Sequence, residues 1–162
     1  MAFSSQEGAE VEESAVEVGI DRGVLSERIT FHGHPMVTAL HPTTIEITTE
    51  DYLSRRGDCI VGVGAERGCA GLGEAVKAAI RRESSQIILH LVVGTQSFAV
   101  RARGDPRLTL THPHDIVVRK SDFISDRTIA VSASHASKDI PRSMVATLRR
   151  ADTVGYLEVL VS

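Results

Sequence analysis

The chain has 162 residues, a length typical of one domain, and its 42% hydrophobic and 24% charged content is ordinary for a globular protein. No apolar run approaches the roughly 18 residues of a membrane span, and the acidic first residues lack the basic and apolar regions of a secretory signal. These two observations exclude membrane-spanning and exported proteins. The only cysteines, Cys59 and Cys69, lack the spacing of a metal-ligand pair, so we expect two inert thiols in a cytoplasmic protein.

Charge is unevenly distributed along the chain. Residues 1–27 hold seven acidic side chains and one basic one, whereas residues 28–162 hold 14 acidic and 17 basic ones. Residues 1–26 have few large apolar side chains, so we predict an acidic, disordered extension followed by a single domain at 27–162. The mildly basic domain permits a polyanionic partner, and its 15 arginines against three lysines suit phosphate or carboxylate recognition.

Hydrophobic periodicity predicts seven or eight strands and two helices. Alternating apolar and polar residues indicate the strands, two of which, joined at 94–96, are typical of a hairpin. Helical spacing of apolar residues predicts one helix from Leu72 to Ile80 and a second after Asp139. The predicted strands are 29–39 (broken near Gly33 or Pro35), 43–49, 59–63, 86–93, 97–103, 116–119, 128–132 and 156–161.

The order of these elements predicts the fold class. Strands come in runs rather than alternating with helices, which favours a single-domain α+β fold with a predominantly antiparallel or mixed sheet. The continuous apolar run at 59–63 predicts a central strand. No internal repeat is evident. We expect Phe31, Phe98 and Phe123 in the core, which leaves little aromatic surface for base stacking.

Histidines supply the first candidate site residues. His32 and His34 lie two apart, which on a strand points both to one face, and His41 follows with Glu46 nearby. Neutral imidazoles on one face are typical metal ligands, so these three histidines are the candidates for a metal site. His-Pro occurs three times, however, and marks turns, so the favoured interpretation is turn histidines with no metal.

Residues 62–73 form a glycine-rich segment between a strand and a helix, which is the setting of a phosphate loop. Arg67 stands where the dinucleotide pattern needs its third glycine, and the Gly-Lys-Ser/Thr of the triphosphate loop is absent. What remains is a helix N-terminus that could bind an anion.

Two more acids and a set of bases complete the candidates. Asp58 precedes the 59–63 strand, and Asp122 ends the string Arg-Lys-Ser-Asp. With His34, His41 and Glu46 they would form the catalytic centre of a small hydrolase or metal-assisted enzyme, if the fold brings them together. The candidate ligand-binding residues, for an anion, are Arg56, Arg103, Arg119, Lys120 and Arg127.

Four longer motifs lie within residues 29–148, namely GHPMVTALHPTTIEITTE, RRGDCIVGVGA, ARGDPRLTL and VVRKSDFISDRTIAVSASHASKDIPRSMV. They resemble the motifs of a family of small, mainly archaeal proteins, domain of unknown function 371. The resemblance implies an archaeal cytoplasmic protein and no particular reaction, and the acidic extension and the glycines of 62–73 depart from the family pattern. The matching residues are His34, His41, Thr44, Glu46, Arg56, Gly57, Asp58, Cys59, Arg103, Gly104, Arg119, Lys120, Ser121, Asp122, Arg127 and Asp139.

Three functions remain open at this point. The first is binding of an anionic partner, RNA or a phosphorylated small molecule, by an arginine-rich face, with the acidic extension as an internal competitor. The second is the small hydrolase or metal-assisted enzyme. The third is a non-catalytic adaptor or subunit. The sequence does not decide whether the protein is an enzyme, and it names no cofactor, substrate or oligomeric state.

Overall fold

The computed structural model describes residues 23–53 and 57–162. In this part of the chain, eight strands form two four-stranded sheets, and two helices pack against them. This confirms the α+β fold. The first strand begins at Leu25, two residues before the predicted domain start, and residues 1–22 of the predicted extension lie outside the described residues. The elements are β1 (Leu25–His32), β2 (Thr44–Thr48), β3 (Ile60–Gly62), α1 (Glu74–Ile80), β4 (Gln86–Val93), β5 (Gln96–Arg103), β6 (Asp115–Arg119), β7 (Thr128–Ala130), α2 (Arg142–Leu148) and β8 (Val154–Val161).

The two sheets close on each other through their edges. The first sheet is antiparallel with the order β1-β8-β4-β5, and the second is mixed with the order β3-β2-β6-β7. Main-chain bridges between His32 and Val63, and between Arg103 and Val131, join the edges of one sheet to those of the other. The strand predicted to be central, β3, is therefore an edge strand of the second sheet, and its partner there is β2.

Alternate side chains of both sheets fill the space between them. This explains the alternation in β4, β5 and β8. Their inward residues are buried, except for the half-buried Gln96 and Phe98 at the start of β5, and their outward residues are exposed or half-buried. An apolar cavity of about 20 Å³ remains between the sheets. It offers a water no polar partner, so it is not a ligand site. Its lining is Ile45, Ile47, Leu89, Leu91, Phe98, Val100, Ile116, Val118 and Leu157.

Both helices are short and pack on the sheets by their apolar side. α1 contacts β1 and β8, and α2 contacts β3 and β4. The helical spacing after Asp139 turns Ile140, Met144, Val145 and Leu148 toward the core, and all four are buried, with Ile140 just before α2. Neither helix, nor any other in the described part of the chain, has the length and apolar character to cross a membrane.

The two halves of the chain repeat one arrangement. When β1-β2-β3-α1-β4 is exchanged for β5-β6-β7-α2-β8, the strand order of each sheet is unchanged. Loop hydrogen bonds repeat as well: Ala70 N donates to His112 O (2.9 Å), and Lys138 N donates to His41 O (3.1 Å). Residues 28–53 thereby correspond to 99–124, and residues 58–93 to 126–161. The expectation of no internal repeat is wrong.

Backbone conformation follows the repeat. Ala39 (φ 50°) and Leu110 (φ 55°) occupy equivalent positions in the left-handed region, and so do Gly64 (φ 58°) and Ser132 (φ 54°). Identical residues also recur at equivalent positions, among them His41-Pro42 and His112-Pro113, although most equivalent positions carry different side chains. The segment 33–39, which was predicted to continue the first strand, belongs to a loop at 33–43 because the backbone leaves the sheet after His32.

Close approach of the two halves requires glycine at one pair of equivalent positions. A Cβ on Gly104 would lie 2.0 Å from the carbonyl oxygen of Ile80, and one on Gly33 would lie 2.5 Å from that of Leu148. The residue after each glycine donates its backbone N–H to the same carbonyl oxygen: Asp105 N to Ile80 O (3.1 Å) and His34 N to Leu148 O (2.9 Å). Ile80 and Leu148 are the last residues of α1 and α2, and each helix belongs to the other half of the chain. Each half therefore anchors the helix of the other.

The left-handed pair provides a test of the repeat. We expect Ser132→Gly to stabilise the protein by about 0.5–1 kcal/mol, because glycine relieves the left-handed strain and Ser132 is exposed. We expect the reciprocal Gly64→Ser to destabilise it by about 1 kcal/mol or more, because a Cβ there also meets His32 at 3.2 Å. Urea unfolding of both variants measures this, and loss of stability in Ser132→Gly would contradict it.

Candidate functional site: the arginine–carboxyl site

The candidate metal ligands cap turns. His34 Nδ1 accepts a hydrogen bond from Met36 N (3.0 Å), and His41 Nδ1 accepts one from Thr43 N (3.2 Å). His32 is exposed at the end of β1. Within residues 23–53 and 57–162, no group of three or more His, Cys, Asp and Glu side chains is placed to hold a metal ion. The side chains of His34 and His41 therefore make the contacts of turn residues.

The helix N-terminus after the glycine-rich segment already has an anion of its own. Glu27 is fully buried, and its Oε1 accepts a hydrogen bond from Gly73 N (2.9 Å), just before α1. Arg67 donates to the other oxygen of Glu27 (2.8 Å). The Arg67 side chain that breaks the dinucleotide pattern thus neutralises an internal carboxylate, and no free phosphate loop is formed.

The five candidate catalytic residues form no common polar cluster in the part of the chain that the structure describes. His34 lies at the end of α2, where its N–H donates to Leu148 O, and His41 N donates to Asp58 O (3.2 Å) through the main chain alone. In the described part of the chain, no side-chain hydrogen bond or ion pair joins any two of the five. Asp122 is exposed after β6, and only Glu46 takes part in a cluster of polar side chains.

The candidate anion-binding residues separate into two places. Arg119 and Arg127 lie on the outer face of the second sheet. Arg103 is exposed on the first sheet beside its junction with Val131, and Lys120 is exposed directly after β6. Arg56 lies outside the described residues.

Strand register builds the cluster on the outer face of the second sheet. In β2, Ile45 and Ile47 point inward and Glu46 points outward, and β6 alternates in the same way. Glu46 is paired with Val117, so the next outward residues of β6, Asp115 and Arg119, lie on either side of it. We call Glu46, Cys59, Asp115, Arg119 and Arg127 the arginine–carboxyl site.

Two nearly buried carboxyl groups form its floor. The side chains of Glu46 and Asp115 are 10% and 13% exposed. Arg127 Nη1 donates to Asp115 Oδ2 (2.8 Å) and lies 3.9 Å from Glu46 Oε2. The thiol of Cys59 donates to Glu46 Oε1 (3.4 Å). One guanidinium therefore bridges both carboxyl groups from the solvent side.

Burial and charge together place the titration of Glu46 near neutrality. Burial, followed by the charge of Asp115, raises the pKa of Glu46 to about 7, against the lowering effects of Cys59 and Arg127. Burial, followed by the charge of Glu46, raises the pKa of Cys59 to about 12. Cys59 is therefore a protonated hydrogen-bond donor rather than a nucleophile, as expected of an inert thiol.

The second arginine is held beside the first. Arg119 donates from Nε to Thr128 Oγ1 (2.8 Å) and from Nη2 to Ser125 Oγ (3.2 Å), and its guanidinium lies 4.9 Å from the ring centre of Phe123. Burial, followed by the charge of Arg127, lowers the pKa of Arg119. Two guanidinium groups thus face the same small region from β6 and from the residue before β7.

Part of this site was not singled out from the sequence. Asp115 was overlooked, as were Ser125 and Thr128, which hold Arg119. Cys59 was named as a residue that matches the family pattern and as an inert thiol, but not as a site candidate. Asp115 carried a usable signal, because it stands at the start of a strand of the same pattern as the one that holds Glu46. Phe123, expected in the core, is 58% exposed because it covers Arg119 instead.

The raised pKa of Glu46 makes stability depend on pH. The folded protein holds this proton more tightly than the unfolded chain, so the stabilisation is complete below about pH 4.5 and is lost as the pH rises through about 7. We expect Glu46→Gln to remove about 1–3 kcal/mol of this decline between pH 5 and pH 8, measured by urea unfolding. Glu83→Gln, at an exposed position, is the control; an unchanged slope in Glu46→Gln would contradict the assignment.

Comparison with known proteins identifies the family. The family model described as "Domain of unknown function (DUF371)" matches residues 29–162. The uncharacterized protein MJ0206 of Methanocaldococcus jannaschii is 38% identical over 117 residues, which span 72% of this chain and 86% of that protein. These matches confirm the resemblance found in the sequence motifs and its link to an archaeal protein. The chain belongs to this domain-of-unknown-function family.

Proposed function

We propose that the protein binds a small anionic ligand, bearing a phosphate or a carboxylate, at the arginine–carboxyl site. The observation that carries this proposal is the pair of guanidinium groups, Arg119 and Arg127, on one partly buried surface. Like charges side by side repel each other, and the pKa of Arg119 is lowered first by burial and then by this repulsion. An anion between them would replace the repulsion with two charge-assisted contacts.

The surroundings of the two arginines suit such a ligand. Arg119 is half-buried and already oriented by Ser125 and Thr128, so little side-chain freedom is lost when it binds. The side chain of Arg127 is 43% exposed, which leaves it accessible from solvent. Guanidinium groups in this setting favour planar, bidentate recognition of phosphate or carboxylate.

The carboxyl floor makes the proposed binding sensitive to protons. When Glu46 is ionised, its charge adds to that of Asp115 beneath the two arginines and opposes an incoming anion. When Glu46 is protonated, the arginines keep more of their positive potential. The ligand would therefore bind more tightly below about pH 7 than above it.

A catalytic role is the second candidate. A carboxyl group whose pKa lies near 7 is suited to general acid–base catalysis at neutral pH. Glu46 would then take a proton from the water that attacks a bound ester, or give one to the oxygen of the departing alcohol, while Arg119 and Arg127 hold the anionic group of the ester. Of the five candidate catalytic residues, this proposal uses Glu46 alone.

Thermal unfolding in the presence of anions tests the binding proposal. The panel contains inorganic phosphate, mononucleotides, sugar phosphates and dicarboxylates, each at pH 6 and pH 8. A ligand that binds only the folded state stabilises it by about 2.7 kcal/mol at a hundred times its dissociation constant. We expect at least one anion to raise the melting temperature, and to raise it more at pH 6.

Matched variants localise the effect. Arg119→Ala and Arg127→Ala should each remove the shift, whereas Arg82→Ala, at an exposed position outside the site, should retain it. A shift that survives both site variants, or no shift with any anion, would overturn the proposal. For the catalytic candidate, hydrolysis of a nitrophenyl ester or phosphate that Glu46→Gln leaves unchanged would argue against Glu46 as the acid or base.

A further inference from the structure

The junctions between the two sheets create two equivalent surfaces. At one, β5 meets residues 131–134: Arg103 is bridged to Val131, and Ser134 N donates to Arg101 O (2.8 Å). At the other, the equivalent backbone bonds join β1 to residues 63–66. The backbone is the same at both junctions, so any difference in their surfaces comes from side chains.

The junction at β5 carries a group of exposed basic side chains. Lys120 lies beside it, because the neighbouring carbonyl oxygens of Arg119 and Ser121 accept from Ala133 N and Ser132 N (both 2.9 Å). Lys138 lies in the 3-10 helix Ser137–Asp139, which comes before α2. Asp139 lies among them: its pKa is lowered first by the Ala136 N–H and then also by the charges of Lys138, Lys120 and nearby His135. Ser134 links the two parts, because it accepts from Arg101 N (3.0 Å) and contacts His135 (2.7 Å). We call the exposed residues Arg101, Arg103, Lys120, His135 and Lys138 the basic junction.

The equivalent surface of the first half lacks this charge. Its corresponding residues are Thr30, His32, Thr49, Arg67 and Ala70. Arg67, the one arginine among them, is engaged by two carboxylates, those of Glu27 and Glu66. In the basic junction, by contrast, no ion pair within the described residues engages either arginine or either lysine.

The charge of the whole domain follows the same division. Residues 28–95 hold seven basic and seven acidic side chains, whereas residues 96–162 hold ten basic and seven acidic ones. The net positive charge of residues 28–162 therefore comes entirely from the second half. Because the same backbone carries a cationic surface in one half only, the fold does not require these basic side chains. Their presence therefore indicates a role other than folding.

We infer that the basic junction binds the phosphodiester backbone of a single-stranded nucleic acid. The centre of the junction is polar, with Ser134, His135 and Asp139 exposed. Protein interfaces have an apolar, charge-depleted centre, whereas a phosphate backbone is bound by separate cations and by hydroxyl and backbone donors. This surface uses none of the residues of the arginine–carboxyl site, so the two proposals stand or fall separately.

Matched substitutions at equivalent positions test this inference. Arg103→Gln with Lys138→Gln lowers the net charge by two at the basic junction. His32→Glu with Ala70→Glu lowers it by the same amount at the equivalent surface, and all four positions are exposed. The readout is fluorescence anisotropy of labelled oligo(U) RNA and oligo(dT) DNA, about 15 nucleotides long, at about 50 and 200 mM salt.

We expect salt-sensitive binding by the unaltered protein, similar for RNA and DNA because only the backbone is contacted. The pair Arg103→Gln and Lys138→Gln should weaken it about tenfold and reduce the salt slope, whereas the control pair should change it less than about threefold. Lys120→Gln should weaken it further. Equal weakening by both pairs would show a general charge effect and overturn the inference, as would absent binding or equally tight binding of poly-glutamate. Urea unfolding checks that every variant is folded.

Discussion

Exchange of strands between the two halves of the chain is the constraint on which the rest of the structure depends. β1 of the first half pairs with β8 of the second, and β5 of the second pairs with β4 of the first. Neither half can complete its share of the first sheet alone, because its first and last strands take their partners from the other half. The second sheet adds the β2–β6 pair at its centre, and the edge bridges then close the two sheets around a common core.

A symmetric backbone carries an asymmetric set of side chains, and function is proposed where the symmetry is broken. Glu46 is paired with Val117, and in the repeat these two positions are equivalent. Likewise Arg119 corresponds to Thr48, and Asp115 to Thr44. The axis that relates the halves passes through the middle of the arginine–carboxyl site, so one surface combines unlike residues from both copies. This is how two carboxyl groups and two arginines come to share a small area.

The arginine–carboxyl site brings together groups whose charges oppose one another. Burial and the charge of Asp115 disfavour the ionised form of Glu46 and raise its pKa. The guanidinium groups of Arg119 and Arg127 repel each other. The rigid β2–β6 pair holds these groups together although their charges favour separation. Such perturbed groups cluster at functional sites more often than elsewhere. In contrast, Glu27 and Arg67 form a satisfied internal pair with an evident structural purpose, since the carboxylate also binds the backbone ahead of α1.

The sequence by itself determined the local elements, the fold class and the family, because strand alternation, helical spacing and motif strings are short-range signals. It also pointed to Glu46, Arg119 and Arg127 as residues of interest. Only the tertiary structure decided which of them meet: the Glu46–Asp115 contact depends on the β2–β6 register, and Arg127 reaches both through a strand pairing of distant segments. The internal repeat was overlooked because most equivalent positions carry unlike side chains, such as Gly64 and Ser132 or Glu46 and Val117, although identical pairs such as Gly33 and Gly104 are present in the sequence. The equivalent long-range hydrogen bonds of the two halves show which positions correspond.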